Sequence, residues 1–351
     1  MQIMLLNDTG LVSHVGCQGV SDAHARMLGR AGHHVTQRYF IGQVGRFRDA
    51  DAKRGLRRVL ADDDFMRRLN AVDAVVVNGE GTIHHAAGTE YLNVLAAAHK
   101  LRKATLLVNC VLEGTEGFDH VFRAIDDIVV RDSRSARWLE ARGRRPRVIP
   151  DSFVEAQFDP QPILDLAGQV PVTDWHHERD ADTGAASLRF LRHPQPLRAF
   201  FLPLMCGNIA PHWRHVPATM KTAPAVVTGR HHGVYCAVLA GVPFVALSSN
   251  THKVAGLLED VPELMAFLDP PSIADAVAAA RGRPDAFRRL EDMILGQRPL
   301  ATFSLLGTTP DGAGETREIA RLSRDVEAAS GGLPADLAYR IQRRSAETGQ
   351  A

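Results

Sequence analysis

The sequence predicts an α/β protein built as two Rossmann-like, doubly wound domains that face a cleft. Three observations predict it. Short apolar runs rich in Val, Leu and Ile recur along the chain, and helix-length periodic segments separate them. The length, 351 residues, suggests about two domains at roughly 100–200 residues each. Hydrophobic residues make up 45%, enough to build a core and too many for a disordered chain. Strands alternating with helices pair in parallel through right-handed crossovers. Ligands of such sheets collect outside the carboxyl ends of the strands.

The elements follow in order. Residues 2–6 (QIMLL) read as the first strand, 17–31 as a helix ending at Gly32, and 34–40 as a second strand. Residues 55–70 carry Leu56, Val59, Leu60, Phe65, Met66 and Leu69 at helical spacing. AVVV at 74–77 is apolar on both faces, as a buried parallel strand must be. A helix at 90–102, strands at 105–109 and 128–130, a helix at 133–142 and a strand at 147–149 complete an N-terminal domain over 1–150. Residues 160–200 carry five prolines and a polar stretch, and they read as an irregular junction. Alternation returns with strands at 199–204, 225–227 and 244–248, and helices at 232–240 and from about 252. Helices at 272–280 and 284–294 close a C-terminal domain over 151–298. Residues 299–351 hold one expected helix near 314–328, which can cross back to the first domain. The last twenty or so residues read as a partly disordered tail.

Charge excludes some functions. The 41 basic residues face 40 acidic ones, a formal net charge of +1. A strongly basic nucleic-acid binder is therefore not expected. Cys17, Cys110, Cys206 and Cys236 form no CxxC pair, which argues against a zinc knuckle and for four reduced thiols in the cytoplasm. No apolar stretch reaches the roughly 18 residues of a transmembrane helix. Peripheral association with a membrane surface is compatible with these readings. Sixteen histidines are many, and eight fall in adjacent pairs: 33–34, 84–85, 176–177 and 231–232.

Polar residues crowd four loops after predicted strands. The first runs from Asn7-Asp8-Thr9-Gly10 into Ser13-His14-Val15-Gly16-Cys17. It is neither a dinucleotide fingerprint nor a phosphate-binding P-loop, but amides at the following helix start favour anions. The second, Asn78-Gly79-Glu80-Gly81-Thr82-Ile83-His84-His85, joins glycines to acid/base groups. Adjacent histidines on a loop chelate poorly, so substrate contact or proton transfer is expected there rather than a metal. The third is Arg131-Asp132-Ser133, with Ser133 as a fair helix cap. Arg131 either binds an anion with its guanidinium fork or pairs with a neighbouring acid. Asp151 follows the next strand, placed to cap a turn or hold a side chain. The fourth, Thr228-Gly229-Arg230-His231-His232-Gly233, sets a permanent cation and two histidines at a helix start. A helix start disfavours an imidazolium and a bound anion favours it, conditions suited to a general acid on an anionic substrate. Asn250 and Lys253 lie on the loop after the next strand.

These residues carry a resemblance. NDTG with GC, NGEG, VRDSRS, VIPD and above all VVTGRHHGVYCAVLAGVPFVALSSNTHK resemble the polysaccharide pyruvyl transferase family, over residues 1 to about 270. The resemblance implies a GT-B-like fold. It implies transfer of the enolpyruvyl group of phosphoenolpyruvate onto two hydroxyls of a sugar, giving a pyruvate ketal in cell-surface polysaccharide synthesis. Arg230 and His232 fall on the family's Arg-x-His, Arg131 on its Arg-Asp pair and Lys253 on its lysine after the last strand. His231 stands where an aliphatic residue is more usual. On this reading phosphoenolpyruvate lies between the domains against Arg230, Arg131 and Lys253. His232 is the acid, with His231 as alternate, and Glu80, Asp8 or His84 is the base. Asn78 and Asn250 complete the binding residues. The partners are phosphoenolpyruvate and a glycan or lipid-linked sugar, with no cofactor or metal. Two competing readings share the scaffold: a glycosyltransferase using a nucleotide-activated sugar, and a carbohydrate- or anion-binding protein without catalysis.

Overall fold

The computed structural model describes residues 1–331 except 82, 176–186, 188, 193–196, 206–210, 298 and 311. The chain divides into two units. One holds Met1–Val12, Val20–Glu155 and the described residues from Pro299, and the other Ser13–Gly19 and the described residues of Ala156–Arg298.

The apolar runs become parallel sheets. In the first unit the strands are β1 (Gln2–Asp8), β2 (His34–Phe40), β3 (Ala74–Asn78), β4 (Ala104–Cys110), β5 (Asp127–Val130) and β6 (Arg147–Val148). Their order is β2-β1-β3-β4-β5-β6, every pair parallel. All of β3 is buried, as its two-faced apolar sequence requires. The intervening helices are α1 (Val15–Arg30), α2 (Ala52–Leu60), α3 (Asp63–Asn70), α4 (Thr89–Lys100), α5 (Asp119–Ala124) and α6 (Ser133–Glu140). In the second unit β7 (Gln169–Val172), β8 (Arg198–Phe201), β9 (Val226–Thr228) and β10 (Phe244–Ala246) run in the order β10-β9-β7-β8, again parallel. Helices α7 (Val216–Met220), α8 (His231–Leu239), α9 (Lys253–Leu258), α10 (Ile273–Arg281) and α11 (Pro284–Gly296) accompany them. The last helix, α12 (Gly314–Ala329), belongs to the first unit and packs on β2.

Several expectations are corrected. The single helix read over 55–70 is two, because Asp62 ends one and starts the next. Its carboxylate accepts the Phe65 N–H at 2.9 Å and caps α3, as Asp51 caps α2 through Arg54 N–H at 3.0 Å. The cap of α6 is Asp132, which accepts from Ser135 N–H, and not Ser133. The junction over 160–200 contains one unexpected strand, β7, while β8 is the strand expected from 199. Pro171 hides β7, since proline in an apolar run argues against an interior strand. The sheet tolerates it because β7 meets β9 only through Val172 and Val227, one residue past the proline. His33 is buried, with its Nε2 3.0 Å from the Gly307 carbonyl oxygen. Cys17, Cys110 and Cys236 are free thiols. Cys206, the His176–His177 pair and the expected disordered tail lie outside the described residues.

Helix α12 holds to its unit by one face. Residues 315, 318, 322, 325 and 326 recur at helical spacing. Glu315 binds Arg26 at 2.6 Å and Arg30 at 2.7 Å, and Asp325 binds Arg38 at 2.9 Å. Glu318 is fully buried and accepts the Val35 N–H at 3.1 Å. Leu322 and Val326 pack on Leu11 and Phe40. Where α12 starts, backbone meets backbone: a Cβ on Gly29 would lie 2.6 Å from Gly314 O, and one on Gly314 would lie 2.2 Å from Gly29 O. Replacing Gly29 by Ala is therefore expected to destabilise by about 1–3 kcal/mol through overpacking. Urea unfolding of the variant with an unchanged midpoint would contradict this packing.

Candidate active site

Strand order decides where a site can form. In each sheet the second strand lies on one side of the first and the third on the other, so the loops after the first and third strands diverge. In the first unit those loops follow β1 and β3. Asn7 and Asn109 adopt left-handed backbone (φ 57° and 55°) beside irregularities in the strand ladders. Asparagine tolerates that region better than most residues. The Asn7 side chain donates to Asn78 O at 2.5 Å, and Asn78 Nδ2 donates to Asn7 O at 3.3 Å. Thr9 Oγ1 donates to Glu80 Oε2 at 2.7 Å, where Asn78 Nδ2 also reaches at 3.4 Å. Asp8 accepts from Ser21 Oγ at 2.5 Å and Gly10 N–H at 2.8 Å, and it pairs with Arg38. The sequence thus placed Asp8, Asn78 and Glu80 at one locus. It named Thr9 only as part of the first loop and missed Arg38 and Ser21, which hold Asp8.

Arg131 has a different setting. Its side chain is 1% exposed and pairs with Asp151, whose side chain is fully buried. Asp151 also accepts the Phe153 N–H at 2.9 Å. Of the two readings of this strand-end arginine, the geometry displays the ion pair. His84 is partly exposed, with Nε2 2.8 Å from Gly81 O. His24 was not singled out in the sequence at all. It sits on α1 at 1% exposure, its Nε2 3.1 Å from Ser152 Oγ and its ring against Phe303. Burial pushes its pKa down to about 4, opposed by Asp8, Glu80 and Asp151 and assisted by Arg38.

In the second unit the diverging loops follow β7 and β9. Asp174 accepts from Arg230 Nε at 2.7 Å with one oxygen, and from Leu204 N–H at 2.7 Å and Met205 N–H at 3.2 Å with the other. Thr173 Oγ1 and Thr228 Oγ1 bond across the two strands at 2.7 Å, and Thr228 Oγ1 accepts the Arg230 N–H at 3.2 Å. Gly229 has no room for a side chain, since its Cβ would lie 2.4 Å from Trp175 Cβ. Gly233 likewise brings α8 onto Thr228. His231 and His232 open α8, 4% and 6% exposed, with ring centroids 5.4 Å apart. Tyr235 lies 4.9 Å from the His231 ring. On the loop after β10, Lys253 Nζ donates to Asn250 Oδ1 at 2.7 Å. A guanidinium and two imidazoles at the start of a helix can hold an anion and move a proton. Asp174 orients the guanidinium, and the sequence hid it behind Pro171.

Solved structures share this architecture. The spinosyn rhamnosyltransferase SpnG aligns over 87% of this chain and 100% of its own, with TM-score 0.51 and 12% identity. The S. aureus MnaA–UDP structure aligns over 95% and 97%, with TM-score 0.52 and 11% identity. At such identities the likeness is one of fold, α/β and GT-B-like. No curated protein matches the chain. Residues 33–251 match the polysaccharide pyruvyl transferase family, and the chain belongs to that family.

The environment of His24 predicts a pH dependence. Unfolded, this histidine takes a proton below its ordinary value of about 6.5; folded, it resists until about 4. Between those values the unfolded state binds more protons, so stability falls as pH drops through that window. The difference corresponds to about 3 kcal/mol. A His24→Gln variant is expected to lose less stability than wild type between pH 7 and 4. Parallel losses in urea unfolding at the two pH values would show that His24 does not set this slope.

Proposed function

We propose that the protein transfers the enolpyruvyl carbon of phosphoenolpyruvate onto two hydroxyls of a sugar as a ketal, in the synthesis of a cell-surface or exported polysaccharide. The observation that carries the reading is the Arg230–His231–His232 start of α8, held by Asp174 at the switch point of its sheet, in a chain of this family. Arg230 and Lys253 hold the phosphate and carboxylate of the donor, since fixed cations neutralise both at no cost in reorganisation. Arg131, buried against Asp151, takes no part.

The enol phosphate is weakly basic at its methylene carbon. His232 gives a proton to that carbon, a new C–H bond forms and positive charge develops at C2. The first hydroxyl attacks C2 and gives up its proton. The C2–O bond to phosphate then breaks, and the second hydroxyl closes the ketal as its proton leaves with the phosphate. One proton enters the methyl group and two leave the hydroxyls, so His232 is returned to its starting form by the first of them. No cofactor is required by this scheme, and we place the reaction in the cytoplasm.

Incubation with phosphoenolpyruvate and a panel of glycans is expected to release inorganic phosphate and give a product heavier by one pyruvate ketal. His232→Ala should lower that rate by about 100-fold or more, the usual contribution of a general acid, while phosphoenolpyruvate still raises the melting temperature. Full activity in that variant would remove His232 from the acid role. The fold likeness to a rhamnosyltransferase favours a second reading, transfer from a nucleotide-activated sugar. Stabilisation by nucleoside diphosphates and none by phosphoenolpyruvate would select it.

A further inference from the structure

The segment before and at the start of α1 is far in sequence from the Arg230 loop, yet Ser13–Gly19 group with the second unit. Three contacts tie it there. Val15 N–H donates to Leu204 O at 2.9 Å. Leu204 N–H donates in turn to Asp174, the carboxylate that orients Arg230. One acid thus sets both Arg230 and, through one residue, the start of α1. The ring of His14 lies 5.5 Å from that of His232, inclined at 62°. Gly16 abuts the same imidazole: a Cβ there would fall 1.9 Å from His232 Cγ and Nδ1 and 2.5 Å from its Cβ. His232 is 6% exposed, so it has little free space into which to move. Gly16 is the second residue of α1. Close approach to His232 accounts for its presence.

His14 is fixed as well. Its Nδ1 is 3.0 Å from the Gly16 amide and accepts that N–H. A ring nitrogen that accepts carries no proton, so the neutral ring has its proton on Nε2. The bond holds His14 in that tautomer at its set angle to His232.

We propose that the start of α1 is a further wall of the Arg230–His232 site, with Gly16 and His14 as positioning residues for the His232 imidazole. Gly16 supplies a surface that leaves room for the ring, and His14 fixes its inclination. This rests on the reading of His232 as the proton donor. If that reading holds, both residues act on the chemical step and little on donor binding, which Arg230 and Lys253 govern.

The test measures kcat and KM for phosphoenolpyruvate in Gly16→Ala, His14→Ala and His14→Gln. Gly296→Ala serves as control, since a Cβ at that position meets nothing within 4 Å. Gly16→Ala is expected to lose about 100-fold in kcat with KM little changed, and the control to match wild type. His14→Ala should lose kcat to a smaller extent, and His14→Gln, whose amide can still accept the Gly16 N–H, should recover part of it. Wild-type kcat in both Gly16→Ala and His14→Ala overturns the inference, as does a loss confined to KM. A Gly16→Ala chain that does not fold leaves the decision to the two His14 variants. A wild-type protein inactive with phosphoenolpyruvate overturns the functional reading instead. The positioning claim is then read by NMR titration of the His232 ring in wild type and His14→Ala: a changed ring environment supports it, and superimposable titrations overturn it.

Discussion

In both sheets the chain leaves its first strand to build the second on one side, then returns to build the third on the other. The crossovers therefore diverge from the carboxyl ends of two adjacent strands and leave a gap between them. Everything placed there is inside the protein yet not in a ladder, so its polar groups must find partners among side chains. The first unit meets that constraint with Asn7, Asn78, Thr9 and Glu80 bonded across β1 and β3. The second meets it with Asp174 on Arg230 and Thr173 on Thr228, across β7 and β9. The same topology yields the same kind of locus twice, with different chemistry in each.

The difference lies in charge. In the first unit Asp8 is matched by Arg38 and Asp151 by Arg131, with these side chains at most 2% exposed. A buried ion keeps its charge only beside a counter-ion, because lone desolvation costs several kcal/mol. His24, deep among them, is held neutral by the same burial. In the second unit Asp174 faces Arg230, and two imidazoles and the start of α8 follow it in the chain. Helix starts carry partial positive charge. The start of α8 thus offers positive potential beside Arg230, whereas Glu80 adds a further carboxylate to the first locus. That contrast, more than the presence of arginine at either strand end, is why the donor is assigned to Arg230 and not to Arg131.

Much of this was legible in the sequence. Strands buried on both faces announce themselves, since AVVV has no polar face to show solvent. Loops such as NGEG and TGRHH stand out because glycine and titratable residues crowd where apolar runs end. What stayed hidden has physical causes. Pro171 masked β7 and with it Asp174, because the rule against interior proline is about lost N–H donors, and here the ladder to β9 starts after it. An arginine at a strand end reads alike whether its partner is a ligand or a carboxylate 20 residues later. The grouping of residues 13–19 with the second unit breaks the linear boundary near 150, which no pattern along the chain marks.

The histidines show why composition carried so little. His33 holds the Gly307 carbonyl, His24 is sealed between Ser152 and Phe303, and His232 sits in the first turn of a helix against Gly16. These are one residue type in three environments, and the side chain alone predicts none of them. His24 shows the cost of the wrong surroundings: packed by an aromatic ring and far from water, it cannot take a proton at neutral pH even with three carboxylates nearby. A histidine that moves protons needs the opposite, a place where charge can be met as it appears. In the role proposed for His232, an anionic donor held by Arg230 would bring that charge, while the His14 ring and Gly16 pack against the imidazole.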